Sequence, residues 1–267
     1  MVAVTLAAVV GATGCRTASA EGSGSATPSP APGAFAVVEL FTSEGCSSCP
    51  PADSVLRAID AEGRRDGKPV YALSFHVDYW DGLGWKDPFS APASSERQRA
   101  YASASGRDQV FTPQMIVNGT DSFNGADRGR ARHAIDAALQ RPRDVRVALR
   151  IEQDGTDASV KSGDASGRAR VVRYAIEGVP AGATLRVAEV DEGRGHAIPS
   201  GENAGRTLEH AAVVRRLVSM PAAREGTVIV PAPPLSVEGG EPRAIVAFVQ
   251  LRTMEIVAAA RVDLPRR

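Results

Sequence analysis

Val37-Val38-Glu39-Leu40-Phe41-Thr42-Ser43-Glu44-Gly45-Cys46-Ser47-Ser48-Cys49-Pro50-Pro51-Ala52-Asp53 runs from an apolar segment, through a Cys-x-x-Cys pair, into a helical pattern. Val37 to Phe41 predicts a buried strand. From Asp53 to Ala61, the residues Val55, Leu56 and Ile59 recur at helical spacing. A Cys-x-x-Cys that follows a strand and opens a helix is a redox signature. Free backbone N–H groups and the positive end of the helix dipole favour a thiolate at the first cysteine and lower its pKa. The second cysteine lies one turn on and can close a disulfide with the first. Zinc sites share this spacing, so both chemistries stay open at this point.

The chain has 267 residues, room for two modest domains, and its 31 basic residues balance 31 acidic ones. No basic patch stands out, so nucleic acid is not an expected partner. No segment after the N-terminus has the uncharged apolar run needed to span a bilayer. Residues 1–20 read as a signal or lipoprotein segment. Val2 to Gly14 is apolar and small, the length of a signal-peptide core, although a basic n-region is missing. Two processing routes fit. Ala12-Thr13-Gly14-Cys15 is a loose lipoprotein box with Cys15 as the lipidated residue, and Ala18-Ser19-Ala20 fits an A-x-A cleavage site. Residues 21–33, rich in Gly, Ser, Ala, Thr and Pro, form a flexible tether. The expectation is an extracytoplasmic protein, periplasmic or secreted, and lipid-anchored to the cell envelope if Cys15 carries the lipid.

The chain has three cysteines. Once Cys15 is lipidated or cleaved away, only Cys46 and Cys49 remain to pair in an oxidising compartment. A loop of two intervening residues constrains the unfolded chain little. Exchange chemistry explains the pair better than structure does.

Downstream, Gly67-Lys68-Pro69 breaks the chain, and Val70 to Val77 predicts a second buried strand. Asp78 to Pro92 is an aromatic, Gly-bearing loop. Pro92 to Ser105 has helical composition. Thr112-Pro113 precedes a strand over Gln114 to Val117, Asn118-Gly119 is a hairpin turn, and Ser122 to Gly125 pairs back. Asp127 caps a helix running to about Gln140. This order is that of the thioredoxin fold, in which a cis proline begins the strand facing the disulfide. Pro113 stands at that place, and a cis X-Pro bond is accessible there.

The phrases Val38 to Asp53, Ala72-Leu73-Ser74-Phe75-His76-Val77-Asp78-Tyr79-Trp80-Asp81, Leu83-Gly84-Trp85-Lys86-Asp87-Pro88-Phe89 and Thr112-Pro113-Gln114-Met115 resemble a bacterial family of secreted thioredoxin-like proteins, the domain of unknown function 1223. The resemblance covers roughly residues 35 to 265. It implies a thioredoxin-like fold and an extracytoplasmic setting, and supplies no substrate.

Pro142 to Asp144 reads as a boundary. Beyond it come short strands with turn signals: Val145 to Ile151, Ala158 to Val160, Ala169 to Ile176, Thr184 to Val190, Ala212 to Met220, Thr227 to Val230, Ala244 to Leu251 and Met254 to Val262. Gly201 to Leu208 also resembles the family. The expected architecture is an α/β thioredoxin-like domain over residues 34–141 followed by an all-β, sandwich-like domain over 143–267. The second domain reads as a binding or spacer module.

The function expected from these residues is thiol–disulfide exchange with a protein or small thiol or disulfide partner, needing no cofactor. Cys46, the more exposed at the helix start, exchanges with the partner. Cys49, the more buried, resolves the mixed disulfide. Thr112 and Pro113 hold the partner's backbone. Thioredoxins place a buried acid on the first strand to take the resolving thiol's proton, and the resemblance points to Glu39, one residue further from the cysteines than in thioredoxin itself. A rival class is a copper- or zinc-handling module using Cys46, Cys49 and His76, with Asp78 beside it; His76 as a loop anchor and no metal site is the preferred expectation. A third is an envelope interaction protein whose cysteines are idle. Trp80 and Trp85 read as a lip over the disulfide or as core, with core preferred, and His133, His196 and His210 as incidental.

Overall fold

The computed structural model describes residues 1–2, 29–154, 169–191, 195–231 and 242–264. All but residues 1–2 of the signal or lipoprotein segment, with Cys15, most of the tether and the strand expected at Ala158 to Val160, lie outside them.

The first half folds as β1 (Ala36–Thr42), α1 (Pro50–Arg65), β2 (Val70–His76), α2 (Pro92–Ala104), β3 (Gln114–Val117), β4 (Asp121–Asn124) and α3 (Arg128–Leu139). β1 pairs parallel to β2 and antiparallel to β3, and β3 turns through Asn118-Gly119 into β4. Asn118 takes positive φ there, and its side chain bonds Val37 N and Phe35 O, tying the hairpin to β1. Asp127 caps α3 by accepting from Arg130 N.

Alternation along β1 assigns its two faces. Val38 and Leu40 pack with Ala52, Val55 and Leu56 of α1 and Ala131, Ala134 and Ile135 of α3. Val37 and Phe41 pack on the other face with Leu73, Phe75 and Tyr101 of α2.

The second half contributes β5 (Arg146–Asp154), β6 (Arg170–Glu177), β7 (Thr184–Asp191), β8 (His196–Ala197), β9 (Thr207–Leu208), β10 (Val213–Pro221), β11 (Glu225–Val230), β12 (Pro242–Gln250) and β13 (Ile256–Asp263). Its strands divide between two sheets. β11, β6 and β5 form a three-stranded sheet, whose Val172, Tyr174, Ile176 and Val228 pack on Leu185, Val187, Ile245, Ala247 and Val249. The partner sheet is shared with the first half. It runs β13-β12-β7-β10-β2-β1-β3-β4, eight strands in all. The join is a parallel contact of β10 on β2, with Val213 opposite Ser74 and Ser74 N donating to Ala212 O at 2.8 Å. The Phe41 and Phe75 face therefore also receives Val246, Phe248 and Ile256. One sheet thus crosses the boundary at 142–144.

Candidate functional site

Cys46 and Cys49 are joined by a disulfide at the mouth of α1, with Cα atoms 5.4 Å apart. Sequence position suggested a more exposed Cys46. The folded chain buries both cysteines completely, at 0% exposure, and leaves Ser47 and Ser48 outside. The expected free N–H groups are also missing. Pro50 and Pro51 fill the first helical positions and carry none. Cys49 N is taken by Cys46 O at 3.1 Å, and Ala52 N and Asp53 N by Cys49 O. The hydrogen-bonding groups near the Cys46 sulfur are hydroxyls: Thr112 Oγ1 and Ser48 Oγ, each at 3.4 Å.

Thr112 comes from the loop ahead of β3. The Thr112–Pro113 peptide bond is cis, and Pro113 is buried. Trp80 Nε1 donates to Thr112 Oγ1 at 2.9 Å and so fixes the hydroxyl against the sulfur. Trp80 therefore belongs to the site as well as to the core it packs on. Tyr79, Leu83 and Phe111 stand exposed on these same loops.

The second half of the chain reaches the same place. Between β7 and β10, the segment from residue 195 to 212 lies over the cysteine loop. Asn203 Nδ2 donates to Glu44 O at 2.8 Å and Cys46 O at 3.0 Å. Glu202 accepts from Ser47 N at 3.0 Å, and hydrogen bonding to the Ser47 hydroxyl, with this backbone bond second, holds its carboxyl below the ordinary range. Gly201 makes the approach possible. Its φ is +77°, and a Cβ there would lie 2.9 Å from Trp85 Cβ.

Glu44 is fully buried and makes three side-chain hydrogen bonds: Trp85 Nε1 donates to it at 2.9 Å, and His196 Nδ1 and His210 Nε2 each lie 3.0 Å from it. Trp85 is thus a partner of the cluster, half-buried rather than core. His196 and His210, which read as incidental in the sequence, converge on one carboxylate. Beside them His76 Nδ1 bonds Asp87 Oδ2 at 2.7 Å, and Asp87 also accepts from Glu44 N and Phe89 N. Burial works against charge on both partners, yet their mutual attraction prevails: the imidazole is raised above its usual pKa and the carboxyl lowered. His133 shares none of these contacts.

Asp53 completes the group. It sits one helical turn after Cys49, on the same face of α1, where helix side chains lean toward the N-terminus. Its Oδ1 accepts from Thr42 Oγ1 at 2.9 Å. Burial pushes its carboxyl above the ordinary range, against the opposing pull of His210, His76 and the Thr42 bond.

Glu39 is elsewhere. Its carboxylate pairs with Arg97 Nε at 2.6 Å and with the Tyr101 hydroxyl, among α2 residues on the face of β1 opposite α1. The extra residue between it and the cysteines accounts for this, since a shift of one reverses a strand side chain. Gln250 of β12 joins the cluster, accepting from Arg97 Nη1 at 3.2 Å and donating to Tyr101 at 3.0 Å, so Glu39 helps to fasten the two halves together. Asp78 is likewise engaged apart from His76, accepting from Ser95 Oγ. Among the described residues, no group of three His, Cys, Asp or Glu side chains has the geometry to hold a metal ion. No helix of the described residues is long and apolar enough to cross a membrane.

The family model of DUF1223, described as a protein of unknown function, matches residues 37–250. That span holds Cys46, Cys49, Thr112, Pro113, His196, Asn203 and His210. No curated protein matches the chain at a significant level. Among solved structures, the X-ray crystal structure of a protein from Agrobacterium tumefaciens is similar at 28% identity and a TM-score of 0.61, covering 86% of this chain and 94% of that one. HBP35 of Porphyromonas gingivalis is similar in fold, at 14% identity and a TM-score of 0.57, covering 88% of this chain and 76% of that one.

Proposed function

The chain belongs to the DUF1223 family, and from that premise we propose that it is a thiol–disulfide oxidoreductase on a thioredoxin-like scaffold. One observation carries the reading: Thr112 Oγ1, immediately before cis Pro113, lies 3.4 Å from Cys46 Sγ in the closed Cys46–Cys49 bridge. A bridge over two residues does little for stability, whereas hydroxyls at the sulfur are suited to a thiolate.

In the reducing direction, the Cys46 thiolate attacks one sulfur of a partner disulfide. The partner's S–S bond breaks, one of its sulfurs leaves as a thiolate, and a mixed disulfide with Cys46 forms. Cys49 then gives its proton to Asp53 and attacks Cys46 Sγ. The second partner sulfur leaves, and two electrons have passed from the Cys46/Cys49 dithiol to the partner. The reverse sequence oxidises a partner dithiol. Thr112 and Pro113 align the partner's backbone, with exposed Tyr79, Leu83 and Phe111 offering apolar contact. Because both sulfurs are buried in the closed state, the loops over them open before the partner's sulfur arrives.

The test is trapping with oxidised glutathione. The Cys49→Ser variant, once reduced, accumulates a stable mixed disulfide at Cys46, whereas Cys46→Ser forms none at matched pH. Equal labelling of the two variants, or none in either, would remove the reading.

A further inference from the structure

Glu44, Asp53, His76, Asp87 and His210 are all buried between α1, β2 and the segment ahead of β10. Buried charge is expensive unless it is paired or used. The pairing here is incomplete in one direction. His76 spends Nδ1 on Asp87 and leaves Nε2 without a protein partner. His210 spends Nε2 on Glu44 and leaves Nδ1. Asp53 accepts from Thr42 on Oδ1 and leaves Oδ2. Ser74 Oγ, on the same face of β2 as His76, also lacks a partner.

These atoms belong to one place. The His76 and His210 rings are 4.7 Å apart, and Asp53 interacts electrostatically with both. Phe89 packs edge-on against both rings and closes the place on one side. No three of these donors are disposed to share one cation. Separate, directional hydrogen-bonding groups suit a proton handed along rather than an ion held.

Among the described histidines and carboxylates of the cluster, His196 is the one that reaches solvent most. The side chains of Glu44, His76, Asp87 and His210 are 0% exposed, whereas that of His196 is 17% exposed. A proton entering through His76 meets Asp87, which is enclosed and already accepts from two backbone N–H groups. One entering through His210 meets Glu44, whose carboxylate also bonds His196.

Resting on the oxidoreductase reading, we propose that Asp53, His210, Glu44 and His196 form the path by which the Cys49 proton passes between the buried disulfide and solvent. As Cys49 attacks Cys46 Sγ, Asp53 receives its proton. Asp53 Oδ2 and His210 Nδ1, unbonded in the closed disulfide, come within hydrogen-bond distance as the site opens; Oδ2 then passes the proton to Nδ1, and His210 gives up the proton on Nε2 to Glu44. Glu44 delivers it to His196 Nδ1, and His196 releases the proton it carried on Nε2 to water. Each carrier returns to its starting protonation state after a tautomeric reset of His210 and of His196. When the disulfide is reduced by an incoming dithiol, the proton runs inward. The groups facing Asp53 are Thr42 from β1, His76 from β2, Asp87 from the aromatic loop and His210 from the second half. Those facing Glu44 are Trp85, His196, His210 and His76. His76, paired with Asp87, lies beside the path without being on it.

The experiment is single-turnover reaction of the reduced full chain with oxidised glutathione, quenched in acid so that mixed disulfide and closed disulfide are counted separately. In the wild-type protein the second phase, closure of Cys46–Cys49, is insensitive to imidazole in the buffer. In His196→Gln, which keeps a hydrogen-bonding group toward Glu44, the mixed disulfide still forms but closure slows by at least about tenfold near neutral pH. Added imidazole restores it, and closure acquires a solvent deuterium isotope effect. Glu44→Gln shows the same slow second phase without rescue. A folded His196→Gln whose closure rate, pH profile and isotope effect match wild type would overturn the path and leave the oxidoreductase reading intact. Absence of both mixed and closed disulfide in wild type would overturn both. Tight zinc or copper uptake by the reduced wild-type chain that is lost in His210→Asn would replace the path with a metal site.

Discussion

At Asp53 the carboxyl loses its hydration and receives one hydroxyl hydrogen bond, from Thr42. Its raised pKa means that the folded chain binds this proton more tightly than the unfolded chain does. Over the window between the two pKa values, the folded state carries the extra proton, so stability falls as pH rises. The penalty is complete above the folded pKa and absent below the unfolded one. Asp53→Asn is therefore expected to unfold at higher urea than wild type at pH 7 and at the same urea at pH 3. The same variant closes the Cys46–Cys49 bridge about 10²-fold more slowly, because no carboxylate stands beside Cys49. Urea midpoints at the two pH values, together with acid-quench kinetics, check both halves. A variant that is less stable at pH 7 and undiminished in rate would make Asp53 an ordinary structural acid. Cys46 itself has donors to its sulfur from Thr112 and Ser48 instead of from the helix backbone. The absence of backbone donors was already written in Pro50-Pro51, since proline has no N–H.

Among the elements, the segment from residue 195 to 212 has the largest effect on the site for the least regular structure. Asn203 supplies the donor for two buried carbonyls, those of Glu44 and Cys46. Asn203→Ala leaves both without it, and a loss of about 1–3 kcal/mol is expected. Hydrogen exchange then accelerates in residues 195–212 and in the cysteine loop but not in β12 or β13, and mass-resolved exchange would show the pattern. The strands and helices near the cysteines were legible because their signals are local. Val37 to Phe41, the helical spacing of Val55, Leu56 and Ile59, and Asn118-Gly119 each need only a few neighbours to be read. Glu39 was misplaced by one residue of parity, which a strand turns into the opposite face. The convergence of Glu44 with His196 and His210 was not legible. The partners lie 152 and 166 residues apart, and neither histidine has a local motif that marks it.

For the whole molecule, the shared eight-stranded sheet makes the first half depend on the second. Phe41, Phe75 and Tyr101 pack with Val246, Phe248 and Ile256, while Arg97 and Tyr101 bond Gln250 across the join. A fragment of residues 34–141 would expose that apolar face and the buried Glu39–Arg97 pair together. It is expected to bind a hydrophobic dye and to melt without a sharp transition, whereas the full chain unfolds in one step. A cooperative melt of the fragment near the full chain's temperature would instead make the halves independent. The alternation of strand and turn after Asp144 made β5, β6 and β11 readable as strands. Nothing in that pattern shows that β10 would pair with β2, because a sheet edge has no sequence signal for its partner.

A genetic crossover at residues 142–144 falls in a connection between helix and strand, where shuffling of modules is usually harmless. In this chain it would part Glu44 from His196 and His210, and Ser74 from Ala212. A hybrid assembled from two relatives would inherit the cysteines from one parent and their cover from the other. The two halves are therefore a single unit of heredity, though a reader of the gene would draw the line between them.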